Sequence, residues 1–87
     1  MIKLIEPVRT DTNIDWWNDN RIRLNEAIAV FNNWQTEHKF DDFEKEVLKA
    51  KINLCREFGN NNDFSEWQFK MLDEMEEFIK EYERIKD

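Results

Sequence analysis

The 87 residues contain one glycine, one proline, one cysteine and one histidine. Each scarcity excludes something. A β-rich chain needs glycine or another turn former at nearly every reversal, so the lone Gly59 argues for helices. Cys55 alone allows no internal disulfide and fits a reducing, cytoplasmic setting. His38 stands in a loop beside Lys39 with no second histidine and no Glu-x-x-His spacing. The usual carboxylate–histidine metal sites of helical bundles are therefore not expected. The sequence has no glycine-rich phosphate loop and no nucleophile paired with a positioned base. No apolar run reaches the length of a membrane span. The opening "MIKLIEPVRTD" is apolar, but Glu6 and Pro7 cut it short and no small-residue cleavage site follows, so no signal peptide is expected. These absences predict a non-enzymatic protein with no cofactor and no metal.

What is abundant is aromatic and acidic. Four Trp, seven Phe and one Tyr are heavy for one short domain, and each buries a large apolar area. A chain of this length has a thin stability margin unless its packing is good. The formal net charge of −7 disfavours nucleic acid and anionic membranes as partners and favours a basic protein surface.

The pattern predicts an all-α antiparallel three-helix bundle, residues 1–87 forming one domain. Residues 1–12 read as a short extended arm, because "IKLI" has strand-like apolar density and Pro7 pushes Glu6 toward extended geometry. An unpaired strand must pack on the helices or pair with another chain; packing is the expectation. Helices are expected near 13–35, 41–58 and 63–86. The capping patterns are "TNID" at 12–15, "DDFE" at 41–44 with Asp41 as cap, and "DFSE" at 63–66 with Asp63 as cap. Gly59 reads as the residue that ends the second helix.

On helical wheels the first helix gathers Trp17, Leu24, Ala27, Ile28, Phe31 and Trp34, with Trp16 at the edge. Asn20 interrupts that face, expected to be solvated or bonded to a neighbouring helix end, or else to set register. The second gathers Phe43, Val47, Ala50, Leu54 and Phe58. The third gathers Phe64, Met71, Met75, Phe78, Tyr82 and Ile85, flanked by Trp67, Leu72 and Ile79. Leu48, Ile52 and Cys55 form a second stripe on helix two, about 100° or more from the first. It reads either as contact with a second neighbour or as an oligomer surface, which makes a homodimer the alternative architecture. Phe69 falls on the polar side of helix three and could anchor a partner, as could the Trp16–Trp17 corner beside Arg21 and Arg23.

Residues 63–87 carry nine acids against four bases, so the negative charge is concentrated in the last helix. Glu66, Asp73, Glu74, Glu77 and Glu81 share one side of it. Like charges at this spacing cost an isolated helix a few tenths of a kcal/mol per pair, so a helix optimised for stability alone would alternate signs. Carboxylates four residues apart rise about 6 Å, close to the spacing of phosphates along a nucleic-acid strand. The face could therefore fill a groove built for DNA or RNA backbone, its carboxylates bonding the groove's Lys and Arg. In size, acidity, Asn-rich composition and lack of catalytic motifs, the chain resembles the small acidic inhibitors that phages and mobile elements direct at host and defence enzymes. The resemblance is one of type and rests on no family motif. The functional expectation is a binding protein that occludes a basic, nucleic-acid-handling site on a larger protein. The alternative is a structural homo-oligomer or scaffold subunit with a ligand pocket between subunits.

Overall fold

The computed structural model describes residues 2–10 and 15–86, and within the helices the side chains of residues 19–85. The cap expected at residues 12–15 and the side chains of Trp16 and Trp17 lie outside the described residues. Three helices form the body: α1 (Asp15–Thr36), α2 (Asp42–Asn61) and α3 (Glu66–Lys86). No strand is present among the described residues. The fold is all-α as expected, with helix ends within three residues of those expected.

The helices run up, down and up. Arg23 of α1 lies 4.0 Å over the ring of Phe58 of α2, while Glu26 and Lys51 approach to 3.6 Å and Trp34 donates to the Asp41 carbonyl at 3.1 Å. These contacts advance along α1 as they retreat along α2, so the pair is antiparallel. Residues 56 and 49 of α2 meet residues 73 and 83 of α3 in the same sense. The long, narrow body measures 44 × 22 × 19 Å.

Leu24, Ala27, Ile28, Phe31 and Trp34 of α1 are buried, as their wheel position predicted. Asn20 is buried and donates to the Asn62 carbonyl at 3.4 Å, so it bonds the α2–α3 corner. On α3 the buried set is Leu72, Met75, Phe78 and Ile79, and the expected seam fades before Ile85, which is exposed. Trp67 is also partly exposed.

Helix α2 is turned inside out relative to the sequence reading. Leu48 (0% exposed), Ile52 and Cys55 are in the core, so they form no oligomer surface. Phe43 (73%) and Leu54 (62%), expected in the core, face outward. Charged residues flanking the buried stripe are consistent with this orientation. Lys45 and Lys49 reach Glu83 at 3.5 and 2.9 Å, and Arg56 reaches Asp73 and Glu76 at 2.9 and 3.0 Å. Turning α2 to bury Phe43 and Leu54 would swing this basic row away from α3.

The ends of the helices hold two further corrections. Asp41 does cap α2, accepting from Phe43 and Glu44 at 2.7 and 3.2 Å. Its own N–H donates to the His38 carbonyl, and Glu44 faces His38 at 3.8 Å instead of reaching back. At the other end, Gly59 lies inside α2, and Asp63, the expected cap of α3, takes the left-handed turn at φ 53°. Two residues later stands half of a capping box: the Ser65 N–H donates to Gln68 Oε1 at 2.8 Å, while the Gln68 N–H donates to the Ser65 carbonyl in a backbone turn.

Gly59 is required for space. A Cβ there would lie 2.6 Å from Phe64 Cγ and Cδ2. Phe64 cannot simply retreat, because its N–H is bonded to the Gly59 carbonyl at 3.0 Å. Alanine gains about 1 kcal/mol over glycine inside a helix, but this overlap is with the root of the ring. Gly59→Ala is expected to destabilise by about 1–3 kcal/mol, read from a urea titration. An increase in stability would show that Phe64 is free to move.

Candidate functional site

The acidic helix divides into two sets. Asp73 and Glu76 hold Arg56, and Glu83 holds Lys45 and Lys49. Burial alone would lower the Arg56 pKa, but the hydrogen bonds to Glu76 and Asp73 more than offset this and raise it. The hydrogen bond from Lys49 lowers the carboxyl pKa of Glu83. These acids join α3 to α2. Glu66, Glu74, Glu77 and Glu81 form no ion pair with any described residue and are exposed. Of the five acids predicted to bind a partner, Asp73 is thus already engaged, and the other four have no ion-pair partner among the described residues.

Glu74, Glu77 and Glu81 line a groove of about 350 Å³ whose other wall is Ile2 and Lys3, with Phe78 between them. The arm reaches this place by a device that the sequence reading missed. Three amide side chains of α1 each bond both the N–H and the carbonyl of one arm residue. Gln35 holds Lys3 at 2.5 and 2.6 Å, Asn32 holds Ile5 at 3.0 and 2.8 Å, and Asn25 holds Val8 at 2.6 and 2.8 Å. The ten residues from Asn25 to Gln35 rise about 15 Å in a helix. Five arm residues cover that distance at about 3 Å each, which is extended backbone. Arg21 also donates to the Arg9 carbonyl at 2.9 Å. The arm therefore packs on the helices, as expected. Spacings of seven and three put the amides in a row beside the apolar face of α1, and that row was the available signal.

The other predicted binding residues are scattered. Phe69 is half-buried and packs against Phe64 at 5.6 Å, so it is no isolated anchor on a polar face. Trp16 and Trp17 are helical in backbone, and their side chains lie outside the described residues. The outward side of α2 carries Phe43, Val47, Ala50 and Leu54 at spacings of four, three and four, with only Val47 half-buried.

Cys55 is a packing residue. Burial pushes its thiol up to about 11, outweighing the nearby charges of Arg23 and Arg56. At pH 8 this shift lowers the thiolate fraction roughly 100-fold against a free cysteine. Alkylation of the native chain by iodoacetamide should be slower by about that factor than in denaturant. Because the folded thiol ionises later than the unfolded one, stability should fall as pH rises from about 9 toward 11. Equal native and denatured alkylation rates would mean that the stripe opens readily.

Among the described residues, no three His, Cys, Asp or Glu side chains converge as a metal site would need, and no helix is long and apolar enough to cross a membrane. No protein-family model, curated protein or solved structure matches the chain.

Proposed function

We propose that this chain is a non-enzymatic binding protein that presents Glu74, Glu77 and Glu81 to a basic surface of a larger protein and blocks it. The observation that carries the reading is the division of the α3 acids. The carboxylates that hold the bundle together are paired, whereas this exposed row has no ion-pair partner among the described residues. Unpaired like charges cost folding free energy, and a basic partner would turn that cost into charge-assisted hydrogen bonds and fast encounter. A groove that ordinarily carries nucleic-acid backbone has the required Lys and Arg, which makes occlusion of such a site the inhibitory mode.

The test is capture from lysate by the wild type and by the Glu74→Lys, Glu77→Lys, Glu81→Lys triple variant. Asp73 is left alone, because a lysine there would face Arg56 and confuse lost binding with lost folding. The triple variant should keep its helical circular dichroism and lose a nucleic-acid-handling partner that the wild type holds. Equal capture by both would sink the proposal.

A second reading, self-association, is favoured by the outward stripe of α2. Its heptad-like spacing and small central Ala50 suit a helix from another copy. A light-scattering mass at the single-chain value across micromolar concentrations would remove it.

A further inference from the structure

We propose that the amide row of α1, with the acidic face of α3 at its end, is a receptor for an extended polypeptide segment of the form basic-x-apolar-x-x-apolar, and that residues 2–10 are its occupant within the chain. The inference rests on the reading that Glu74, Glu77 and Glu81 meet a basic partner, and it names the form in which that partner arrives.

The amide row reads main chain only. Each of Gln35, Asn32 and Asn25 uses its carbonyl and its amide nitrogen on a single residue's N–H and C=O. Nothing in those six bonds depends on which side chain the segment carries. Side-chain choice enters at three points. Ile5 and Val8 pack against the core. Lys3 stands on the wall of the groove opposite Glu74, Glu77 and Glu81 without an ion pair to any of them, so the arm brings a basic residue to the edge of the acidic row. The arm is therefore a template for its replacement: a cation at the first read position, apolar groups at the second and third.

Ile2 and Leu4 are 57% and 59% exposed, so half of its apolar side chains gain little from docking. Neutral hydrogen bonds exchanged against water are individually weak. A segment from a basic partner with lysine or arginine over the acidic row could make the same six main-chain bonds and add charge pairing that a single Lys3 does not supply. This is recognition of extended backbone for affinity with side-chain sites for selectivity, as in strand-addition complexes.

The experiment uses the full chain with its own arm weakened by Ile5→Asp and Val8→Asp, and a fluorescent synthetic peptide of residues 2–10 as probe. Saturable binding to the weakened chain is expected, with binding to the wild type about 100-fold poorer because its tethered arm competes at high effective concentration. N-methylation of the peptide at the Ile5 position, or Gln35→Ala in the protein, should weaken binding about tenfold. A peptide with Lys3→Glu should bind several-fold less well. No saturable binding by a weakened chain with wild-type helicity overturns the proposal. So does binding indifferent to N-methylation. Binding that needs the backbone amides but ignores Lys3→Glu overturns the basic specificity and counts against the acidic row, while equal lysate capture by the charge-reversal variant with Lys3-dependent binding counts against the proposed target alone. A wild-type mass of two chains at micromolar concentration would make a second copy the occupant and overturn the assignment to a partner. Hydrogen exchange of the wild type gives an independent reading. The amides of Lys3, Ile5 and Val8 should exchange far faster than those of Ile28 and Phe31, and equal rates would mean that the arm leaves only on global unfolding.

Discussion

Leu48→Ala is expected to lower the free energy of unfolding by about 3–4 kcal/mol, and Leu54→Ala to change it by less than about 0.5. The two leucines sit six residues apart on α2, and from the sequence the larger loss would be assigned to Leu54. Leu48 is fully buried and Leu54 is mostly in water. Removing buried methyl groups loses their transfer free energy and leaves a cavity, whereas removing exposed ones does neither. With a urea dependence near 1 kcal/mol per molar for a chain this short, the Leu48→Ala midpoint should fall by about 3 M. The reverse ranking would mean that α2 presents its other side to the core.

That inversion marks the boundary of what the sequence conveys. Hydrophobic periodicity located all three helices and the buried faces of α1 and α3, because each has one dominant stripe. Helix α2 has two, and the more apolar one, Phe43 through Leu54, is outside. Apolar content ranked the stripes, but the neighbours decided between them. Lys45, Lys49 and Arg56 had to face the acids of α3, and Gly59 had to lie under Phe64. Both are pairings between distant segments and leave no periodic trace. The acidic row was legible as composition. Its division into engaged and free members was not, since Asp73 and Glu74 look alike until Arg56 is placed. The amide row on α1 went unread for a similar reason: asparagine and glutamine on a helix ordinarily signify solvent.

Trp34→Ala is expected to cost about 4–5 kcal/mol, the largest loss of any single substitution considered. A domain of this size has roughly 4–13 kcal/mol in total, so the variant should show a broad or absent thermal transition by circular dichroism. Trp34 is fully buried where all three helices and the first connection meet. Its ring lies 6.4 Å from Phe31, 6.3 Å from Phe78, 5.0 Å from Phe40 and 5.4 Å from Tyr82, mostly edge to face. Its indole N–H is satisfied by the Asp41 carbonyl, so the residue that caps α2 is bonded to the core as well. The same cluster accounts for a strained turn. Lys39 and Phe40 both adopt left-handed backbone, at φ 48° and 63°, which costs a side-chain-bearing residue about 1 kcal/mol or more each. The strain places Phe40 flat against Tyr82 at 4.6 Å and edge-on to Trp34. Trp34→Phe keeps the apolar volume in part and should lose about half as much, with a sharp transition retained. A wild-type-like melt for Trp34→Ala would show that the aromatic cluster is not the centre of the fold.

The main-chain reading of the arm also sets different rules for how the two sides of that contact can change over time. Leu4 and Glu6 can drift freely, since no amide of α1 reads their backbone and their side chains face water. Asn25, Asn32 and Gln35 cannot, because the amide sets a donor and an acceptor side by side on one planar group, matching the N–H and carbonyl of a single residue. Proline is admitted at position 7, between the read residues, and excluded at 3, 5 and 8, where it would delete an N–H. In any set of relatives the arm should therefore keep only a sparse pattern at positions 3, 5 and 8, while the amide row that holds it stays fixed.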